Sequence, residues 1–212
     1  MRILGDIHGY RNDYLHFIKD VDQSIQIGDL DMQYDWLKEV DPKRHRFFGG
    51  NHDNYGVIKE TPHSLGDFGP VPGFEKAFFV RGGFSIDKVE RFPGVDWWAE
   101  EQMPQEQLDE ALELYIKLNP EILLSHECAF ELVSKITDGR VAVWYGFPPV
   151  IDTKTNLTLQ RMLNAHKPRM HIFGHYHRDF DQVIDGVRYV CLTSDISSNR
   201  REKNKLNFLD ID

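Results

Sequence analysis

Five short polar clusters in this sequence each follow directly on a short apolar run. Every cluster contains histidine, aspartate or asparagine, and glycine opens most of them, which lets the chain turn sharply and approach an ion without a clash from Cβ. Oxygen and nitrogen donors without a thiolate suit manganese, iron or zinc better than they suit a cysteine-rich structural zinc site. The clusters occupy residues 5–9, 28–31, 49–53, 125–127 and 174–177.

Five of the ten histidines fall within these clusters. A single histidine is more often a packed core or surface residue than a ligand. Because all five clusters follow apolar runs in the same way, their joint occurrence favours a metal centre. The clustered histidines are His8, His52, His126, His175 and His177. The others, His171 among them, have no motif context, and we assign them no role.

The apolar runs are predicted to be buried strands, at residues 2–4, 24–27, 46–48, 122–125 and 170–173. Helix-like stretches alternate with them, at residues 12–20, 104–118 and 155–165. The tail adds strand-like pieces at 182–184, 188–192 and 207–211, with the hairpin dipeptide Asp185-Gly186 between the first two. Alternating strands and helices predict an α/β fold. The polar clusters would then lie at the carboxyl ends of strands, where ligands bind in such folds.

Two stretches are predicted to be long loops. Residues 61–73 are rich in proline and glycine, and residues 128–153 contain the sequence Gly-Phe-Pro-Pro. Long loops in compact domains often carry function. In the second loop, Trp144 and Tyr145 are candidates for a wall that faces the substrate.

Length and composition favour one domain over residues 1–212. Cys128 and Cys191 are expected to be buried thiols in a reducing compartment. The N-terminus resembles neither a signal peptide nor an anchor, and no run is long enough to span a membrane, so we expect a cytoplasmic protein without a membrane partner.

The formal charge of −9 disfavours long nucleic acid as a partner. A last basic cluster is interpreted as a solvated turn and consists of Arg200, Arg201, Lys203 and Lys205.

The order of the clusters resembles the calcineurin-like metallophosphoesterase superfamily. It reads Asp-x-His, Gly-Asp, Gly-Asn-His-Asp, His and Gly-His-x-His, over residues 5–177. The segment at residues 82–87, Gly-Gly-Phe-Ser-Ile-Asp, with Trp97-Trp98 after it, is similar to prokaryotic and phage members. The resemblance implies a four-layer αββα sandwich of mixed β-sheets flanked by helices, with the metal site at the carboxyl ends of the strands. It also implies two divalent ions, manganese first, with iron or zinc as alternatives.

Residue roles follow from the resemblance by position. The implied ligands of the first ion are Asp6, His8 and His177, and those of the second are Asn51, His126 and His175. Asp29 would bridge both ions, because a carboxylate offers two oxygens and a negative charge. His52 would stand beside the substrate and protonate the leaving oxygen as a general acid.

Elementary chemistry agrees with these roles. Two divalent cations with two carboxylates, Asp6 and Asp29, retain a charge of about +2, which matches a phosphate dianion. Ions about 3.5–4 Å apart can clamp two phosphate oxygens and acidify a bridging water into hydroxide, which would attack phosphorus in line with the leaving group. Histidine suits the acid role because its ordinary pKa lies near working pH.

One departure from the family pattern concerns the catalytic histidine. Protein Ser/Thr phosphatases of this superfamily have a second aspartate three positions after the bridging one, then arginine and glycine. Met32, Gln33 and Tyr34 stand there instead, which disfavours a protein phosphatase. Asp31, one position early, is either a substitute or a solvated residue. The candidate substrate contacts are Arg11 and Arg178, with Arg91 as a further candidate.

The sequence leaves three functions and the oligomeric state open. The first function is hydrolysis of a small phosphate ester, with monoesters slightly favoured because no extended basic groove is visible. The second is a phosphodiesterase or nuclease that acts on a small nucleotide. The third, a metal-binding scaffold without catalysis, is disfavoured because all seven expected ligand positions and His52 carry the expected residue.

Overall fold

The first of two sheets carries three of the predicted strands side by side. In this computed structural model, which describes residues 1–193 and 207–212, β1 (Arg2–Leu4), β2 (Ser24–Gln26) and β3 (His45–Phe47) run parallel. The last strand of the chain, β10 (Phe208–Asp210), pairs antiparallel with β1. The strand order is β10-β1-β2-β3, so the N-terminal strand lies inside the sheet.

The second sheet has six strands within the described residues. They are β4 (Phe68–Val71), β5 (Phe74–Val80), β6 (Ile122–Ser125), β7 (Met170–Phe173), β8 (Phe180–Ile184) and β9 (Val187–Cys191). Their order is β4-β5-β6-β7-β9-β8, with parallel inner strands and antiparallel edge strands β4 and β8. Asp185 and Gly186 both have positive φ, 50° and 84°, which confirms the predicted hairpin between β8 and β9.

The helices of the described chain confirm the three predicted ones and add two. They are α1 (Arg11–Ile18), α2 (Gln105–Leu118), α3 (Phe130–Ile136), α4 (Arg140–Trp144) and α5 (Lys154–Ala165). α5 begins with a capping box, in which Thr153 and Asn156 each bond the other's backbone N–H through their side chains.

Three hydrophobic cores separate four layers. Between the sheets, Ile3 of β1 packs in one cluster with Phe79 of β5. The outer face of the first sheet is covered by α1 through Tyr14. The outer face of the second sheet is covered by α2 and α5 through Tyr115 and Leu159. Because each sheet face buries its apolar side chains against another layer, the αββα sandwich of mixed sheets is confirmed.

The prediction of a loop over residues 61–73 is wrong for its second half. β4 forms there and pairs with β5, and neither strand was predicted from the sequence. Pro70 lies within β4, and the register shifts between Pro70 and Val71. Since β4 is an edge strand, a proline without an N–H is tolerated in it.

The predicted loop over residues 128–153 contains α3 and α4. Leu132 and Val133 of α3 join the same core as α5. These helices have seven and five residues, which is too short for an apolar period to stand out in the sequence.

Three smaller expectations concern the cysteines, the basic cluster and membranes. Cys128 and Cys191 are free and buried. The cluster of Arg200, Arg201, Lys203 and Lys205 lies outside the described residues. Among the residues that are described, no helix combines the length and apolar character needed to cross a membrane.

Candidate metal centre and active site

The seven proposed ligands meet at the carboxyl ends of five strands. Asp6 and His8 follow β1, Asp29 follows β2, Asn51 follows β3, His126 follows β6, and His175 and His177 follow β7. Within each sheet these strands run parallel, so their carboxyl ends lie at one edge, and the two sheets pack face to face. Segments far apart in the chain therefore converge there, as ligand sites of α/β folds do.

One group of donors consists of Asp6, His8, Asp29 and His177, whose ligand atoms all lie within 4.8 Å of one another. His177 Nε2 lies 3.1 Å from Asp6 Oδ2 and 3.1 Å from His8 Nε2. The side chains of Asp6 and Asp29 are only 0% and 1% exposed. Two buried carboxylates this close favour a cation between them, because buried negative charge is costly without one.

A second group is centred on the amide oxygen of Asn51. It lies 3.0 Å from His126 Nε2 and 2.8 Å from His175 Nδ1. His126 Nε2 is also 3.3 Å from Asp29 Oδ1. Donors about 2.1 Å from one ion and at right angles to each other are about 3.0 Å apart, so these separations fit ligands of a shared ion.

Asp29 contacts both groups through different oxygens. Its Oδ1 faces His126 at 3.3 Å, and its Oδ2 faces His8 at 3.8 Å. A carboxylate that faces two sets of donors through its two oxygens can bridge two ions. The donor set therefore fits two ions with Asp29 between them.

Backbone strain coincides with this site. Four of the six non-glycine residues with positive φ in the described chain are proposed ligands, namely His8 (48°), Asp29 (59°), His175 (68°) and His177 (52°). Residues with a Cβ disfavour this conformation, and such strain is typical of functional sites. The other two, Asn119 and Asp185, end a helix and turn a hairpin.

Two glycines are required by the close approach of backbone to ligand. A Cβ on Gly50 would overlap Asp29 Oδ1, and a Cβ on Gly174 would overlap Asp6 Oδ1. The glycines that open these clusters therefore leave room for the carboxylates.

Charge is balanced within the site by histidine. Burial alone would raise the pKa of Asp29, but the charges of His126 and His52 hold it well below its usual range. Burial would lower the pKa of His126, yet Asp29 and Asp6 raise it to about 10. Burial lowers the pKa of His175 to about 3. The Asp29 carboxylate is thus ionised and His175 neutral, which are the forms that bind a cation, whereas His126 must release a proton when a cation binds.

Groups outside the ligand set orient two of the ligands. His126 Nδ1 lies 3.0 Å from the Ile27 carbonyl, so a proton there leaves Nε2 directed at Asn51. Asn51 Nδ2 donates to Ser85 Oγ at 3.1 Å, and Ser85 is held by the buried carboxylate of Glu101. Neither Ser85 nor Glu101 was predicted as a site residue, although Ser85 lies in the family-like segment at residues 82–87.

Asp53 ties two ligand-bearing turns together and was also missed. Its Oδ2 accepts the N–H groups of Asp29 and Gly50, both at 2.7 Å. Its Oδ1 accepts the N–H of Leu30 at 3.1 Å and the hydroxyl of Tyr34 at 2.9 Å. Burial, together with the charge of Asp29, raises the pKa of Asp53 to about 6.

His52 lies beside the ligands and contacts an arginine. The backbone N–H of His52 donates to Asp29 Oδ1 at 2.7 Å. The His52 ring packs edge-on against the His8 ring, with the ring centroids 5.1 Å apart. Arg91 Nη2 lies 2.6 and 2.8 Å from the two ring nitrogens and 2.7 Å from Asp87 Oδ2. Burial lowers the pKa of His52, and the charge of Arg91 acts in the same direction.

The other predicted substrate contacts lie in different settings. Arg11 Nε donates to Asp31 Oδ2 at 2.9 Å, and Trp36 Nε1 donates to the same oxygen at 3.0 Å. Asp31 is therefore paired, with a side chain only 11% exposed, so its interpretation as a solvated residue is wrong. Arg178 is exposed and lines the same cavity as His175.

Several solved structures resemble this chain, and because their sequence identities to it are low, the resemblance is one of fold. The Plasmodium protein GAP50, the anchor in the inner membrane complex, is 10% identical with a TM-score of 0.50, over 99% of this chain and 77% of that one. A candidate 5′-nucleotidase from Staphylococcus aureus is 16% identical with a TM-score of 0.45, over 91% of this chain and 48% of that one. This chain thus spans about half its length. The phosphopantetheinyl hydrolase of Mycobacterium tuberculosis is 12% identical with a TM-score of 0.46, over 91% and 88% of the two chains.

Comparison with protein families extends over most of the chain. No curated protein matches it. A family model described as calcineurin-like phosphoesterase matches residues 2–179, a range that contains every proposed ligand and His52. The resemblance seen in the order of the clusters is therefore confirmed. This chain belongs to the calcineurin-like phosphoesterase family.

Proposed function

We propose that this chain is a two-metal phosphomonoesterase that acts on a small phosphorylated substrate, with His52 as the general acid. The observation that supports this most directly is the convergence of two donor groups on the two oxygens of Asp29, with the His52 ring beside them. Manganese is the proposed metal, with iron or zinc as alternatives, because the donors are carboxylate, amide and imidazole.

The charge of the site favours a monoester. When bound, two divalent ions supply positive charge opposite the phosphate oxygens and a water more acidic than bulk water. Asp6 and Asp29 offset part of that charge, which leaves about the amount that a phosphate dianion neutralises. Arg178, which lines the cavity at this point, would add a further positive charge.

His52 would give its proton to the leaving oxygen. Burial and Arg91 both favour the neutral ring, whereas a bound phosphate dianion would favour the protonated one. Arg91, held by Asp87, would take the place of the orienting carboxylate and the arginine that are absent at residues 32–34. Arg91 and Arg178 are better placed for a phosphate than Arg11, which is bonded to Asp31.

Hydrolysis of p-nitrophenyl phosphate and bis-p-nitrophenyl phosphate, with manganese, iron or zinc returned to chelated protein, tests the proposal. We expect manganese-dependent turnover that is faster on the monoester. His52→Ala should lower the rate by about 10²- to 10⁴-fold on an alkyl phosphate, and less on p-nitrophenyl phosphate, whose better leaving group needs the proton less. Calorimetry should show that His52→Ala still binds metal and that Asp29→Asn binds it poorly.

His16→Ala is the matched control, because His16 is exposed on α1 and lies outside the site. It should keep full activity. Faster cleavage of the bis-ester or of a small nucleotide diester would replace the monoesterase with the diesterase. Metal binding without hydrolysis of any ester would instead favour the non-catalytic scaffold.

A further inference from the structure

A cavity of about 580 Å³ opens onto the candidate metal centre and extends over residues that the chemistry above does not use. Its lining includes the ligands Asn51 and His175, and also a second, uncharged set from other elements. Six members of that set, the apolar wall, are Phe84, Ile86, Val141, Ala142, Tyr145 and Ile151. Tyr145 thus faces the cavity as the sequence analysis anticipated, whereas Trp144 is 79% exposed and is not among the described lining residues.

The cavity is larger than a phosphoryl group requires. Cavities of roughly 300–1,000 Å³ enclose whole small molecules. Most of this volume therefore remains for the part of the substrate that leaves as an alcohol. The apolar wall would surround that part.

The two carboxylates of the lining that lie outside the proposed ligand set are engaged by the protein itself. Asp87 bonds Arg91, and Glu127 accepts from the N–H of Phe84 at 3.0 Å and from Thr153 Oγ1 at 2.7 Å. An anionic leaving group would meet these two carboxylates. With Arg178 assigned to the phosphate that is cleaved, the rest of the lining disfavours a second phosphate or a carboxylate on the alcohol.

Two aromatic rings give the apolar wall a fixed shape. The ring of Phe84 packs edge-on against Phe147, with centroids 5.5 Å apart. Tyr145 donates its hydroxyl to Glu90 Oε2 at 3.1 Å, which ties α4 to the segment that carries Asp87 and Arg91. Aromatic faces held in this way favour a flat apolar group over a hydroxylated one of the same size.

We propose that the apolar wall binds the alcohol portion of the substrate, and that the preferred substrate is a monoester of an uncharged alcohol bearing an apolar ring. This inference rests on the proposed phosphomonoesterase function. It goes beyond that function because it names the chemical class of the leaving group.

The test compares kcat/KM for three monoesters of primary alcohols, so that the bond broken is the same in each. These are 2-phenylethyl phosphate, ethyl phosphate and glucose 6-phosphate. Burial of the phenyl ring should favour 2-phenylethyl phosphate over ethyl phosphate by about 10- to 100-fold. Glucose 6-phosphate, which carries a polar ring, should gain no such advantage.

Val141 and Val143 offer a matched pair of variants on α4. Both are half exposed, at 51% and 52%, but of the two only Val141 is among the described lining residues. Val141→Asp should lower the preference for 2-phenylethyl over ethyl phosphate at least about 5-fold by adding charge to the apolar wall. Val143→Asp adds the same charge to the same helix and should leave that preference unchanged.

Equal hydrolysis of the ethyl and phenylethyl esters, or a preference for glucose 6-phosphate, would overturn the inference and leave the phosphomonoesterase standing. An equal effect of the two valine variants would overturn the assignment to the apolar wall. If no ester, including p-nitrophenyl phosphate, were hydrolysed with any metal, the proposed function itself would fail, and the inference with it.

Discussion

The amide nitrogen of Asn51 donates a hydrogen bond to the hydroxyl of Ser85 over 3.1 Å. The same hydroxyl donates to Glu101 Oε2 at 2.6 Å, so it can only accept from Asn51. An amide has one end that can bind a cation, the oxygen, and one that cannot. The bond to Ser85 therefore turns the oxygen of Asn51 towards His126 and His175.

Replacement of Ser85 should weaken metal binding without removing a ligand. In Ser85→Ala, the Asn51 amide loses the acceptor that orients it, and we expect the affinity for one of two manganese ions to fall about 10- to 100-fold. Titration calorimetry on chelated protein measures this directly. Ser64→Ala, which removes a hydroxyl that accepts a hydrogen bond from the Gly66 N–H, is the control. Two ions bound with unchanged affinity in Ser85→Ala would show that Asn51 needs no such support.

Replacement of Asp53 by asparagine should destabilise the fold. Both carboxylate oxygens of Asp53 accept hydrogen bonds from groups around Asp29 and Gly50. In asparagine, an NH₂ group replaces one of these oxygens, so it would face other N–H donors with no acceptor between them. We expect the free energy of unfolding to fall by about 2–4 kcal/mol in urea titrations. Asp22→Asn, at an exposed carboxylate, should change it by less than about 0.5 kcal/mol. A similar small change in Asp53→Asn would mean that these bonds contribute little.

Loss of Arg91 should impair turnover while the metal remains bound. Its guanidinium contacts the His52 ring and is held by Asp87, so Arg91→Met removes a positive charge and frees the ring. We expect kcat/KM for a phosphomonoester to fall by about 10- to 100-fold, with the manganese stoichiometry unchanged. Arg44→Met, at a half-exposed arginine, serves as the control. Full activity in Arg91→Met would remove Arg91 from the proposed mechanism.

Acid should destabilise this protein partly through His171. Burial lowers the pKa of His171 to about 3, below its ordinary 6.5, so the unfolded chain takes up a proton that the folded one refuses. This contribution is fully present above pH 6.5 and is lost as the pH falls towards 3, by up to about 1.4 kcal/mol per pH unit. His171→Gln keeps a donor towards Ser125 but cannot titrate.

Unfolding free energies of the two proteins, measured with a chelator present, isolate this effect. Between pH 6.5 and 5, wild type should lose about 1.6 kcal/mol more than His171→Gln. All other titrating groups are common to both proteins. Parallel pH profiles would exclude a proton-linked role for His171.

Removal of metal should lower the melting temperature. Asp6 and Asp29 are buried close together, and ions bound between them stabilise the native state alone. At a concentration about 100 times the dissociation constant this amounts to about 2.7 kcal/mol, or roughly 5–10 °C for a chain of this length. Chelation followed by return of manganese, monitored by calorimetry, should show the loss and its recovery. Asp29→Asn should respond little, and an unresponsive wild type would contradict a formed site.

Local signals in the sequence are enough to predict which segments meet at the candidate metal centre. β1, β6 and β7 appear as short, mainly apolar runs, because buried parallel strands have few polar positions, and β2 shares their pattern only through Ile25 and the Ile27 that follows it. The polar residues that follow each run lie at the same edge in any sheet with this alternation of elements. The convergence of Asp6, Asp29, His126 and His175 therefore follows from local signals and topology.

The groups that surround the proposed ligands depend on long-range packing. Ser85 reaches Asn51 across 34 residues, and Arg91 reaches His52 across 39, from irregular segments without a period. β4, with Pro70 inside it, is a strand only because β5 pairs with one of its edges. Such contacts depend on how irregular backbone packs onto a finished sheet, and the energy of that packing is shared among distant residues. No local sequence pattern reflects this packing. The proposed ligands could therefore be predicted from the sequence, whereas the groups that orient them and, apart from Tyr145, the apolar wall beside them could not.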